Sequence, residues 1–238
     1  MVLNYDTITL EQATELQNQL CQKLSGLTLS NEINTIAGAD ISHNKNENTV
    51  YAGIVVLSYP GLELVSYALA KAETTFPYIP GFLGFREVPA LLKAWELLPV
   101  KPDVTVLDGQ GITHPRRMGI ASHFGVLTDT MTIGCAKNKL YGTLEKDLEE
   151  KKFSTVLLYN RVQEQIGYVL RTKNKTAPVF ISPGNHVSVP DSLNIMKNCV
   201  RAHRIPEPTR LAHEYVNLFR TGKLASGFHR CDTQQTLW

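Results

Sequence analysis

The chain has 238 residues, 43% apolar and 19% charged, and its 24 basic and 22 acidic side chains leave a formal charge of +2. That composition supports one large domain or two small ones with a real core, and it excludes wholesale disorder. It also excludes a histone-like polycation, so any nucleic-acid contact has to come from local clustering of charge.

In chain order, Leu10, Ala13, Leu16, Leu20 and Leu24 recur at three- or four-residue steps and predict a helix over 9–24, with Thr9 and Gln12 as a capping box. Three strand-like runs follow, 35–42, 50–59 and 62–70. Polar residues 43–49 and the pair Pro60-Gly61 join them, and such short turns make antiparallel neighbours. Residues 85–98 read as a helix with Val88, Leu91, Leu92, Trp95 and Leu98 on one face and Pro89 in its first turns. Val104 to Leu107 is a short buried strand, 114–128 reads as a helix opening on His114-Pro115, and 131–136 is another strand. Helical crossovers make these later strands parallel members of the same sheet. Strand-like runs at 155–159, 166–170 and 179–182 and helices at 191–202 and 207–220 complete the pattern. With no linker in view, the expectation is one α/β domain: a mixed sheet of three antiparallel strands then parallel ones, flanked by helices. Residues 1–30 form an N-terminal helical extension and 217–238 a tail.

Cys21, Cys135, Cys199 and Cys231 form no C-x-x-C pair, which argues against a disulfide framework or a thiolate zinc site. No apolar run approaches the ~20 residues that span a bilayer. Met1 to Asp6 lacks both the basic patch and the apolar run of a signal peptide. A soluble, cytoplasmic, monomeric protein with no membrane partner is expected.

Asp40 follows the apolar run Ile36 to Ala39, and Asp108 directly follows the buried run 104–107 and precedes Gly109-Gln110-Gly111. Ligands of open α/β sheets gather at the carboxyl ends of strands. Each acid alone also reads as a turn former, and Glu87 alone as an acid at a helix start. Together, two acids closing parallel neighbouring strands and a third on a nearby helix repel one another unless cations intervene. With Mg²⁺ or Mn²⁺ they make an oxygen-ligand site suited to phosphodiester hydrolysis. The segment Thr75 to Phe85 holds two prolines, two glycines and four aromatic residues. Prolines flanking Tyr78 would make it a stiff wedge able to unstack bases, unless the loop folds into the core. Arg116 and Arg117, after His114-Pro115, would bind phosphate at a helix start, or serve as ordinary surface charge. Lys197, Arg201, Arg204 and Arg210 form a local basic surplus, which a solvated helix face would also explain.

The runs PYIPGFLGFRE (77–87), DGQGITHPRR (108–117), ASHFG (121–125) and IGCAK (133–137) resemble endonuclease V in order and spacing, over residues 30 to 215. The resemblance implies an RNase H-like fold with a five-stranded mixed sheet and added C-terminal strands and helices. It implies a Mg²⁺-dependent repair nuclease, with Mn²⁺ as substitute, acting on double- or single-stranded DNA that contains deoxyinosine. Cleavage falls at the second phosphodiester bond 3′ to the lesion and leaves 3′-hydroxyl and 5′-phosphate ends; some members cut inosine-containing RNA. By position, Asp40, Glu87 and Asp108 match the acidic, metal-holding triad, Lys137 a lysine close to the scissile phosphate, and His213 a residue near the metals. Pro77, Tyr78, Ile79 and Pro80 match the wedge. Gly81, Leu83, Gly109, Gly111 and Gly134 match the lesion pocket, and His114 and Arg116 lie in the DNA-contacting segment. One departure is Gly184-Asn185-His186, where the family pattern has histidine directly after the glycine. A catalytically idle binder of inosine RNA, and an RNase H-like nuclease of relaxed preference, are the competing readings.

Overall fold

The computed structural model describes residues 5–27, 32–45 and 47–231. Residues 1–4 of the signal-peptide reading, 28–31 of the N-terminal extension, Asn46 of the polar connection and 232–238 of the tail lie outside the described residues. Helix α1 (Leu10–Cys21) starts with the expected capping box: Thr9 Oγ1 accepts the Gln12 N–H and Gln12 Oε1 accepts the Thr9 N–H. Strands β1 (Thr35–His43), β2 (Thr49–Ser58) and β3 (Leu64–Glu73) form the antiparallel unit. Helix α2 (Leu83–Leu97), strand β4 (Val104–Leu107), helix α3 (Ile120–Thr128) and strand β5 (Met131–Ala136) follow. Then come β6 (Thr143–Leu144), β7 (Thr155–Tyr159), β8 (Gln165–Leu170), β9 (Val179–Asn185), α4 (Val189–Asn198), α5 (Glu207–Arg220) and β10 (Gly227–Arg230).

The strands make a single sheet in the order β10-β3-β2-β1-β4-β5-β9-β8-β7-β6. Its heart is the expected RNase H-like order 3-2-1-4-5, with β1, β4 and β5 mutually parallel. The added C-terminal strands continue the same sheet: β9 pairs antiparallel with β5, and β8, β7 and β6 follow. At the other edge β10 pairs antiparallel with β3, so part of the expected tail is a strand.

Side-chain alternation assigns the two faces. Ala37, Ala39, Ile54 and Ala68 pack under α2 and α3 with Val88, Leu91, Trp95 and Phe124. Ile36, Val55, Val106 and Ile133 pack under α4 and α5 with Leu193, Met196 and Ala212. Burial of each large aliphatic group contributes roughly 1.5–3 kcal/mol. Helix α1 sits on the first layer, where Tyr5, Ala13, Phe76 and Phe85 form a small core of their own. Pro89 lies inside α2, two residues deeper than the sequence places it, because the helix starts at Leu83.

Candidate active site

Parallel pairing of β1 and β4 brings the first two acids together. Ala39 stands opposite Leu107, and the Asp108 N–H donates to the Ala39 carbonyl over 3.1 Å. Asp40 does not end its strand as expected; β1 runs on to His43, with Asp40 paired to Gly53. The antiparallel partner β2 is long enough to keep β1 extended past the acid. On the opposite side of β1 the helix α5 makes an unusually close crossing at Gly38. A Cβ there would lie 1.8 Å from the Pro208 carbonyl oxygen. This crossing brings His213 to Asp40, with Nδ1 2.8 Å from Oδ2. Asn217, one turn on, meets His213 Nε2 at 3.2 Å. With the Asn217 amide as donor, the His213 proton resides on Nδ1 and faces the carboxylate.

Asp40, Asp108 and His213 each offer an atom within 4.8 Å of the other two. Lys137, directly after β5, donates from its ammonium to Asp108 Oδ2. Glu87, on α2, stands outside that close trio, yet burial and then the charge of Asp40 push its pKa up to about 8. Burial and Asp40 also raise the pKa of Asp108, against the opposing pull of Lys137. Burial works against the Lys137 ammonium, but the hydrogen bond and charge of Asp108 outweigh it and raise its pKa. The hydrogen bond to Asp40 raises that of His213. Three carboxylates thus share a partly buried place with too little positive charge. The carboxylate oxygens of Asp40 and Asp108 fit a hard divalent cation, which would relieve that repulsion, while His213 turns its Nδ1–H to Asp40.

Beside the acids lies a cavity of about 350 Å³. Of the residues expected from sequence, Tyr78, Gly81, Leu83, Glu87, Asp108, Gly109, His114 and Lys137 line it. Tyr78 is 61% exposed, so its loop does not fold the ring into the core. Gln110, Met118 and Asn138 to Leu140 also line the cavity and escaped the sequence reading. For Asn138 to Leu140, adjacency to Lys137 was the one available signal. Pro77, Ile79 and Pro80 flank the rim without lining the cavity. Gly111 and Gly134 lie behind it: a Cβ on Gly111 would sit 2.0 Å from the Pro183 carbonyl oxygen, and one on Gly134 2.4 Å from the Gly111 nitrogen. Their missing side chains let the 108–111 segment lie flat against β5 and β9.

The helix expected from His114 begins only at Ile120, and 108–119 is a string of turns. Gly119 and the buried loop before it interrupt the helical pattern that Pro115 suggested. Neither Arg116 nor Arg117 therefore stands at a helix start. His114 is 2% exposed. Its Nδ1 accepts the N–H groups of Arg116 and Met118 (3.1 and 3.3 Å) and its Nε2 donates to the Gly81 carbonyl (3.0 Å). Burial pushes its pKa down to about 4, so it is neutral. Arg116 also donates to the Gly81 carbonyl (3.1 Å), and its guanidinium lies 4.4 Å from the centre of the Phe82 ring. Arg117 pairs with Glu164 at 2.7 Å.

The later basic surplus is largely committed within the fold. Arg201 donates to carbonyls of Asn198 and Pro60, and Arg210 pairs with Glu207 and Glu214. Arg204 ties the carbonyls of Ala177, Pro178 and Lys137, which anchors the backbone behind the Lys137 ammonium. In the 184–188 departure, Asn185 is 1% exposed. It accepts the Ser25 N–H and donates to the Gly125 carbonyl, while His186 pairs with Asp129 and Ser188 caps α4. That loop ties elements together and does not line the cavity.

A mixed sheet in RNase H-like order, with acids converging on neighbouring parallel strands beside an aromatic-rimmed cavity, defines an acid-cluster enzyme of that fold class. The endonuclease V family model matches residues 8–214, and the chain belongs to the endonuclease V family of nucleases. A curated endonuclease V from Gloeobacter violaceus is 43% identical over 219 residues, covering 91% of this chain and 88% of the relative. The crystal structure of endonuclease V from Streptomyces avermitilis superposes with a TM-score of 0.85 at 34% identity, covering 93% and 97% of the two chains. Endonuclease V from Ciona intestinalis, crystallised with a 24mer DNA containing an inosine followed by a ribo-adenosine, gives a TM-score of 0.77 at 28% identity, covering 90% and 100%. Among the described residues no helix is long and apolar enough to cross a membrane.

Proposed function

We propose that this protein is a Mg²⁺-dependent endonuclease that recognises deoxyinosine in double- or single-stranded DNA. It hydrolyses the second phosphodiester bond 3′ to the lesion, leaving 3′-hydroxyl and 5′-phosphate ends. The observation that carries this reading is the convergence of Asp40, Asp108 and His213 within 4.8 Å, beside a cavity rimmed by an exposed tyrosine. A space of about 350 Å³ falls in the range of small-ligand pockets and suits one displaced base.

Asp40 and Asp108, with Glu87 beside them, would hold the cation, and Mn²⁺ would substitute for Mg²⁺. The chemistry such a cation supplies there is a lower pKa for water and stabilisation of charge on phosphoryl oxygens. The Lys137 ammonium, kept protonated by Asp108, would stand against the scissile phosphate. His213, with its Nδ1–H against Asp40, would orient that carboxylate beside the scissile bond. Tyr78 would fill the gap in the stack, at a cost of a few kcal/mol in lost stacking that is smallest for a mispaired base. Backbone groups at Gly81, Leu83 and Gly109 would read the hypoxanthine edge, which differs from adenine in presenting O6 and N1–H. Since the Gly81 carbonyl is already occupied, Gly81 would contribute its N–H.

The test is end mapping on a duplex with a single deoxyinosine, with and without Mg²⁺. The expected product is one nick at the second bond 3′ to the lesion, and none without the cation. A matched inosine RNA forms the second arm, since the Ciona relative was crystallised on a strand carrying a ribonucleotide after inosine. Binding without new ends in either arm would overturn the reading in favour of an idle binder. Equal cutting of strands without inosine would favour a nuclease of relaxed preference.

A further inference from the structure

The carbonyl oxygen of Gly81 receives three hydrogen bonds: from His114 Nε2, from Arg116 Nη2 and from Gln17 Nε2 at 3.0 Å. Gln17 belongs to α1, far from the acids in sequence, and is 1% exposed. Its Oε1 accepts from Arg116 Nε at 2.5 Å, and its Nε2 also reaches the Met118 carbonyl at 3.4 Å. One buried amide thus links α1, the carboxyl end of the 77–81 loop and the 114–118 turn. Gly81 has φ +84°, a backbone state that leaves glycine many alternatives when it is not held. Pro77 and Pro80 stiffen the loop internally but do not fix its direction relative to the sheet.

We propose that Gln17 is a positioning residue for lesion recognition: by bonding the Gly81 carbonyl and orienting Arg116, it presets the loop that aims Tyr78. This rests on reading Tyr78 as the wedge. A loop already held in its binding shape pays no ordering cost when the strand arrives. Loss of the amide would therefore weaken binding of the lesion. Turnover would change little, because Asp40 and Asp108 are held by strand pairing that α1 does not touch.

The test uses the full chain. Gln17→Met keeps the side-chain length and removes both hydrogen-bonding functions. Gln17→Glu keeps the acceptor for Arg116 and loses the donor to Gly81. On a deoxyinosine duplex, Gln17→Met is expected to raise KM about tenfold with kcat changed less than about twofold, and Gln17→Glu to fall between it and the wild type. In an Asp108→Ala background the same variants should weaken binding to the lesion duplex and leave binding to undamaged duplex unchanged. Equal losses on both duplexes, or a fall in kcat at constant KM, would overturn the proposal. Tyr78→Ala runs alongside. If it weakens lesion binding while both Gln17 variants discriminate as the wild type does, the wedge stands and the positioning role falls. If Tyr78→Ala itself leaves discrimination intact, the wedge reading fails and the role of Gln17 falls with it.

Discussion

Asp108 and Asp40 are neighbours because the Asp108 N–H closes the last rung of the β1–β4 ladder on the Ala39 carbonyl. Each acid follows a residue of that final pair, so the register of the sheet, rather than any contact between the side chains, sets their spacing. The cost of gathering them is visible in Glu87, whose pKa is driven up to about 8 by burial and by its acidic neighbours.

Asp108→Ala is expected to lower nicking of a deoxyinosine duplex in Mg²⁺ by ~10³-fold or more, the scale of several kcal/mol of lost charge stabilisation. Lesion binding should persist, since Tyr78 and the pocket backbone are untouched. Gel-based cleavage and anisotropy on the same duplex read both; full activity would remove Asp108 from the chemistry.

In chelator, thermal stability should fall as pH rises from about 5 to 8. Folded Glu87 keeps its proton up to about 8, whereas the unfolded chain releases it near 4.5, so raising pH across that window favours unfolding. His213 acts in the same direction, because its raised pKa adds stability at low pH that is lost as the imidazole deprotonates. Glu87→Gln should flatten the slope and raise the melting temperature at pH 8 while lowering activity. Scanning calorimetry across pH checks it, and an unchanged slope would disconnect Glu87 from the cluster.

Tyr78→Ala should weaken binding of a deoxyinosine duplex by about tenfold, the size of one base–aromatic stacking contact, and undamaged duplex far less. Melting temperature should barely move, since the ring is exposed. Equal losses on both duplexes would reduce Tyr78 to general DNA contact.

Gly38→Ala should destabilise by at least about 2 kcal/mol, as overpacking against rigid backbone does, because the new methyl group would meet the Pro208 carbonyl. Displacing α5 also moves His213 from Asp40, so residual folded enzyme should be slower. Chemical denaturation with activity assays tests both, and wild-type values would refute the close crossing.

Acidic residues behind apolar runs, a proline-framed tyrosine and the alternation of strands and helices were legible in the sequence because local periodicity and turn chemistry encode them. Periodicity ran past its limits at His114, where a buried turn replaces the first part of a helix; the 35–42 run is a strand, and only the reading of Asp40 as the acid closing it failed. The 143–144 and 227–230 strands are too short to carry a pattern, and they exist because a sheet edge was there to receive them.

By itself, then, the order of residues carried most of the secondary elements and the candidate acids, which depend on neighbours close along the chain, while the RNase H-like class came from the resemblance of its longer motifs. Only the folded molecule decided that His213 meets Asp40 over the gap left by Gly38 and that Lys137 pairs with Asp108. It alone committed His114, Arg116 and Gln17 to one carbonyl oxygen, where the sequence had offered Arg116 to phosphate. These choices depend on strand register and helix crossing, which are fixed by packing between segments far apart in sequence and leave no local signature.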